Sequence, residues 1–176
     1  MACAVQCCGR VSVDTGLGRF HVLWDDGGAV VRVALPGERF EKAGAGPGSP
    51  AVRRLARDIR RVLDGEPVRF DLDSIRLELC SPFQQAVLRA EFRVPRGRVT
   101  TYAALAARVG RPGATRAVGN ALGCNPFPIV IPCHRAVRSD RTLGGYRGGP
   151  RMKRALLELE GVGFEAGGRV RPEFFC

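Results

Sequence analysis

The sequence predicts a mixed α/β chain in two parts: an α/β (α+β) unit over residues 1–80 and a mainly helical unit over residues 81–176. Three observations predict it. Short alternating or β-branched runs crowd the first third, with one amphipathic helix after them. From Ser81 onward the apolar residues recur at helical spacing, in short segments divided by Gly and Pro. Charge changes at the same place: residues 1–80 hold twelve basic and eleven acidic side chains, whereas residues 81–176 hold sixteen and six. A chain of 176 residues with 45% hydrophobic content can pack one domain, or two small ones, without staples.

The elements follow in order. "VSVDTG" (11–16), "GRFHVLW" (18–24) and "AVVRVAL" (29–35) read as strands, and Asp25–Gly28 ("DDGG") between the last two is a hairpin signal. "EKAGAGPGS" (41–49) is a loop. A helix then starts with Ser49 as its cap and Pro50 in its first position, and stops at Gly65. Val52, Leu55, Ala56, Ile59, Val62 and Leu63 keep its helical period. "PVRFDLD" (67–73) reads as a returning strand. Ser81, Pro82 and Gln84 open a capping box, and Phe83, Val87 and Leu88 form an apolar face that runs to about Phe92. "VPRGRV" (94–99) is a turn. Thr100 is expected to cap "TYAALAARVG", which Gly110 ends, and a further helix spans about Ala114 to Gly123. Two short helices joined by a Gly-containing turn in the most basic stretch read as a helix-turn-helix. The last helix, "PRMKRALLELEG", runs from about Pro150 to Gly161 and buries Met152, Leu156 and Leu159.

Charge narrows the function classes. The net charge is +11, and from Pro82 to Leu157 the only acids are Glu91 and Asp140. A half this basic attracts a polyanion, with nucleic acid the leading candidate. All but Lys42 and Lys153 of the 28 basic residues are Arg, which grips phosphate with two N–H groups at once. No stretch approaches 18 apolar residues, and "MACAVQCCGR" lacks a basic region followed by an apolar one, so neither a membrane span nor a secretory signal is expected. The expected compartment is intracellular. The seven cysteines (Cys3, Cys7, Cys8, Cys80, Cys124, Cys133 and Cys176) are scattered unlike a disulfide framework, and with only His21 and His134 present no metal site is expected.

The helix over 114–123 is rich in small residues: Ala114, Ala117, Gly119, Ala121 and Gly123. Gly inside a helix costs about 1 kcal/mol against Ala. Two explanations stand: close packing on another element of the protein, or approach to a narrow partner such as a minor groove.

"NPFPIVIPCHRAV" (125–137) sets Cys133 beside His134 directly after a proline. A thiol attacks as its thiolate, so a neighbouring base and a carboxylate that orients the base would activate it. Glu160, an acid at a helix C-terminus where the dipole disfavours it, invites a cationic partner, and His134 is a candidate. Neighbours on a regular strand point to opposite faces, so the backbone at Pro132–His134 is expected to turn.

These stretches, taken with "PFQQAVLRA", "VPRGRVTTYAALA", "RAVGNAL", "GGYRGG" and "LLELEG", closely resemble the O6-alkylguanine-DNA alkyltransferase family, collinearly from about Pro82 to Gly161. The resemblance implies a ribonuclease-H-like N-terminal domain and a winged helix-turn-helix-like C-terminal one. It implies direct-reversal DNA repair: one irreversible transfer of an alkyl group from O6-alkylguanine in double-stranded DNA to Cys133, with O4-alkylthymine a further candidate substrate. No cofactor or metal is implied, and the free protein is expected to be a cytoplasmic monomer, nuclear in a eukaryote. By the same resemblance His134, through water and with Glu160, forms the thiolate. Asn125 holds the turn before the active-site strand, and Tyr102 crowds the phosphate and protonates the leaving guanine. Arg116 fills the gap left by the flipped base; Ala117, Gly119, Asn120 and Arg135 join the DNA-binding surface. Pro128, Tyr146 and Arg147 line the substrate pocket. Competing readings are a non-catalytic alkylated-DNA-binding protein, which would lack the acceptor cysteine, a thiol hydrolase, and a DNA-binding regulator with an inert Cys133.

Overall fold

The structure is a computed structural model that describes residues 7–40 and 43–176. Cys3, Lys42 and the start of the 41–49 loop lie outside the described residues. The chain forms two compact units, 1–80 with 126–130 and 81–125 with 131–176. The apolar segment 126–130 packs with the first unit.

In the first unit β1 (Gly9–Thr15), β2 (Gly18–Trp24) and β3 (Val30–Ala34) form an antiparallel meander, and β4 (Gly44–Ala45) adds parallel to β1, giving the order β3-β2-β1-β4. The hairpin signal is a turn in which the Gly28 amide donates to the Asp25 carbonyl and the Ala29 amide to the Asp25 carboxylate. Gly28 takes a positive φ there, a conformation that glycine adopts without steric cost. Helix α1 (Pro50–Leu63) packs on β1 and β2 and buries the six residues whose spacing predicted it. Ser49 accepts from the Val52 amide at its start. Leu23, Val31, Ala34 and Ala43 form a further core cluster with Phe40 and Leu79.

The returning strand over 67–73 does not form. Pro67 has no amide to donate, and Asp71 accepts from the Asp73 amide, which winds Leu72–Ser74 into a 3₁₀ turn. Only Ile75 reaches the sheet, as a single parallel bridge to Val30.

The second unit contains α2 (Pro82–Phe92), α3 (Tyr102–Arg108), α4 (Thr115–Gly123) and α5 (Gly149–Leu159), with a two-stranded parallel sheet of β5 (Thr100–Thr101) and β6 (Ala136–Val137). Helices α2, α3 and α4 pack on one another. Half of the expected capping box forms: Ser81 accepts from the Gln84 amide. The Gln84 side chain does not return to Ser81; it donates to the carbonyls of Ala121 and Cys124, tying the start of α2 to the C-terminal end of α4. The cap of α3 is Thr101, which accepts from the Ala104 amide, while Thr100 is buried in β5. Both are threonines before a helical pattern, so pattern alone could not say which one leaves the strand. Val99, Val137, Leu157, Val162 and Val170 form the core behind this sheet.

The apolar run before Cys133 is not a strand. Residues 126–130 bend, and Ile129 adopts φ +74°. A β-branched residue pays for that conformation, so burial of Ile129 and its neighbours must hold it. The turn expected at the cysteine is present, as a 3₁₀ turn over Cys133–Arg135. Among the described residues no helix is long and apolar enough to cross a membrane.

Candidate active site

The site is assembled in the second unit from the 3₁₀ turn, the ends of α2 and α5, and the loop after β6. Asn125 fixes the turn. Its side-chain amide donates to the Ile131 carbonyl at 3.0 Å, closing the points where the chain leaves and re-enters this unit, and it also hydrogen-bonds to Cys133. Cys133 is 7% exposed, and its thiol is pushed up to about 11 by burial, against which Asn125, Arg147 and Lys153 pull down while Glu91 pushes up. The resting nucleophile is a thiol.

His134 Nε2 lies 3.0 Å from Glu160 Oε1. Burial holds Glu160's neighbour His134 below its usual pKa, so the ring is neutral, while its hydrogen bonds to His134 and Arg135 overcome burial and keep the Glu160 carboxyl down at about 2. An ionised carboxylate accepting from Nε2 assigns the ring proton to that nitrogen and leaves Nδ1 as the basic one. Nδ1 is buried and has no hydrogen-bond partner among the described residues.

The His134 ring being neutral, the cation beside Glu160 is Arg135. Arg135 grips both carboxylate oxygens, at 2.9 and 2.7 Å, and donates to the Val94 carbonyl at 2.6 Å. The Arg135 side chain, expected on the DNA-binding surface, is 13% exposed and makes these bonds to Glu160 and Val94. The Gly97 amide also reaches Glu160 Oε2, and a Cβ on Gly97, which has φ +73°, would sit 3.0 Å from the Glu160 carbonyl.

Tyr102, at the first position of α3, donates to the Gly145 carbonyl at 3.3 Å and accepts from Lys153 Nζ at 3.3 Å. Burial pushes its hydroxyl up to about 12. Gly144, at φ +68°, passes so close that a Cβ there would be 3.1 Å from the Tyr102 ring and hydroxyl. Tyr146 meets His134 edge-on with ring centroids 6.5 Å apart. Arg147 is exposed, though its charge is felt at Cys133. Pro128 is buried in the segment that packs with the first unit.

Helix α4 places Arg116, Ala117 and Asn120 in solvent, with Gly119 half-buried. A Cβ at Gly119 or Gly123 would meet nothing within 4 Å, so internal packing does not demand these glycines. Of the two explanations for a small-residue helix, the intramolecular one has no support at these positions.

The segment that carries this geometry, residues 82–162, matches a family profile described as 6-O-methylguanine DNA methyltransferase, DNA binding domain. Similarity extends well beyond it. The methylated-DNA–protein-cysteine methyltransferase of Methanothermobacter thermautotrophicus is 42% identical over 144 residues, which cover 82% of this chain and 80% of that protein. The chain belongs to the methylated-DNA–protein-cysteine methyltransferase family. Among solved structures, Mycobacterium tuberculosis OGT in complex with DNA superposes with a TM-score of 0.74 at 31% identity, covering 86% of this chain and 92% of that one. The O6-methylguanine-DNA methyltransferase of Pyrococcus kodakaraensis superposes with a TM-score of 0.60 at 27% identity, over 88% and 99%. The family resemblance read from the motifs is therefore correct, and so is the enzyme class.

In this methyltransferase two side chains at the site escaped the sequence reading. Lys153 is fully buried, with Nζ donating to the carbonyls of Ala136 (2.6 Å), Leu143 (2.6 Å) and Gly145 (3.1 Å). Glu91 is fully buried on α2. A signal for each was present. Glu91 falls four residues after Val87 and three after Leu88, on the apolar stripe, and Lys153 falls three before Leu156.

Proposed function

We propose that this chain repairs O6-alkylguanine in duplex DNA by a single, irreversible transfer of the alkyl group to Cys133. The observation that carries the reading is the buried Cys133 on a tight turn whose next residue, His134, is hydrogen-bonded to Glu160, within the segment that defines the family. In this reading a water bridges Cys133 Sγ and His134 Nδ1 and takes the thiol proton as the sulfur attacks. Glu160 stabilises the imidazolium that forms, and Arg135 holds Glu160 in place. The S–C bond forms as the C–O6 bond breaks, its electron pair passes to the base, and the Tyr102 hydroxyl donates a proton to the leaving guanine. The product thioether offers water no ready leaving group, so each molecule reacts once.

The base reaches a buried thiol only outside the stack. Flipping costs a few kcal/mol of unstacking, which phosphate contacts from the basic unit offset. Helix α4 suits a minor groove: Ala117, Gly119 and Asn120 allow close approach, and exposed Arg116 stands ready to fill the vacated space. On this reading α3 and α4 are a helix-turn-helix of the winged kind, the first unit is ribonuclease-H-like, and the protein works as a cytoplasmic monomer. Tyr146, edge-on to His134, and Arg147 line the substrate pocket.

The test is intact-mass measurement after incubation with duplex DNA containing O6-methylguanine, followed by mapping of the adduct. One added methyl on Cys133, absent with unmodified DNA, is the expected result. Tight binding without a mass change would replace the proposal with a non-catalytic damage binder.

A further inference from the structure

The second unit buries a carboxyl that the mechanism above does not use. Glu91, on the last turn of α2, has 0% exposure, and neither of its oxygens makes a hydrogen bond among the described residues. Leaving a carboxylate so placed costs several kcal/mol unless it is neutral or faces a cation. Helix α2 packs against the turn that carries Cys133. Ala136 links the pieces: its amide favours the ionised form of Glu91 without reaching hydrogen-bond geometry, and its carbonyl accepts from Lys153 Nζ at 2.6 Å.

The charges around this carboxyl do not balance. Arg135 is matched by Glu160 in a two-point ion pair. Lys153, also at 0% exposure, is surrounded by uncharged acceptors: three backbone carbonyls and the Tyr102 hydroxyl. A buried ammonium without a matching anion leaves one excess positive charge in the cluster. Two groups could supply the missing negative charge, the Glu91 carboxyl and the Cys133 thiol; Lys153 favours the ionised form of both, and a charged Glu91 opposes ionisation of the thiol.

We propose that Glu91 and Cys133 compete for the one negative charge that buried Lys153 supports, so that Cys133 ionises readily only while Glu91 holds its proton. Glu91 is then a positioning residue. It touches no reacting atom and acts on the thiol through charge. The other groups facing it are Arg135 on the turn, Tyr102 and Arg108 on α3, and Lys153 on α5; the single charge on α4, Arg116, is exposed. Burial raises Glu91 to about 8, with Arg135, Lys153 and Arg108 pulling it back. Burial also lowers Lys153 to about 8, with Cys133 and Glu91 pulling it back up. The sign follows. Below about pH 8 the carboxyl is neutral and leaves the thiol the field of charged Lys153; above it the carboxylate draws on that field and lifts the thiol, and loss of the Lys153 proton lifts it in the same direction.

The experiment is a titration of the Cys133 thiolate by ultraviolet absorbance, as the difference between the full chain and its Cys133→Ala variant, repeated in Glu91→Gln and Glu91→Leu. Both substitutions remove the ionisable group, and the second keeps the site apolar if the amide proves disruptive. The expected result is a downward shift of the Cys133 midpoint in both, with at least about threefold more thiolate at pH 9 and little change at pH 6. Unchanged midpoints in both variants would overturn the proposal and leave Glu91 a structural residue. The inference concerns the same site as the repair reading, but the readout uses no DNA. A shifted midpoint in a protein that fails to take up methyl would sink the repair reading and keep this one.

Discussion

Glu160 shows how one side chain can be paid for by several partners. It stands at the end of α5, where the helix dipole repels it, and its side chain is 3% exposed. Three donors reverse both penalties: His134 at 3.0 Å, the Arg135 fork and the Gly97 amide. Because the carboxylate both orients His134 and stabilises its charged form, Glu160→Gln should slow alkyl transfer by about 10²-fold and spare duplex binding. Single-turnover rates beside a binding titration would show it; equal losses in both would mean that Glu160 only supports the fold. His134 was legible as a candidate partner of Glu160 from residue type and position, and the two are hydrogen-bonded. The Arg135 fork was not, because an arginine beside a histidine in a basic chain reads as one more phosphate contact. Only the direction of its side chain, towards Val94 and Glu160, commits it inward.

At the scale of the element, α4 is the informative case. Its glycines lower helix stability, and the structure gives no internal reason for them, since a Cβ at Gly119 has open space around it. Gly119→Leu should therefore leave unfolding by urea unchanged or gain up to about 1 kcal/mol. The same change should weaken binding to duplex DNA at least tenfold if this face meets a groove. A variant that binds duplex as well as the parent would return the glycines to chance. Helices α1, α2 and α5 were legible because each combines a cap or a leading proline with an apolar stripe. The segment 67–73 was misread because its alternation is real in burial, Val68 and Phe70 being less exposed than their neighbours, but it joins no ladder among the described residues.

Over the whole molecule the buried acids give stability two opposite pH slopes. Glu160, held at about 2 against an ordinary 4.5, contributes stability that is complete above about pH 4.5 and is lost as pH falls towards 2. Glu91, raised from 4.5 to about 8, contributes in the other sense: its burial is free of penalty below about pH 4.5 and becomes costly as pH rises towards 8. Thermal melts of the parent and Glu91→Gln at pH 5 and pH 8 should show the variant gaining Tm relative to the parent as pH rises. A constant difference across that range would mean that the carboxyl does not change its charge on folding.

What the sequence determined by itself was whatever depends on neighbours along the chain: the helices and their stops, the hairpin at Asp25–Gly28, the turn at Pro132–His134, and a motif order specific enough to name the family. Local rules of capping, period and φ act within a few residues, so they can be read in one dimension. Tertiary structure decided what depends on distance between remote segments. It chose Thr101 over Thr100 as the cap, sent 126–130 to the first unit, turned Arg135 onto Glu160, and enclosed Glu91 and Lys153 beside Cys133. Burial and the field of a charge come from the atoms packed around a group, and residues 91, 133 and 153 become neighbours only once the helices close on the turn.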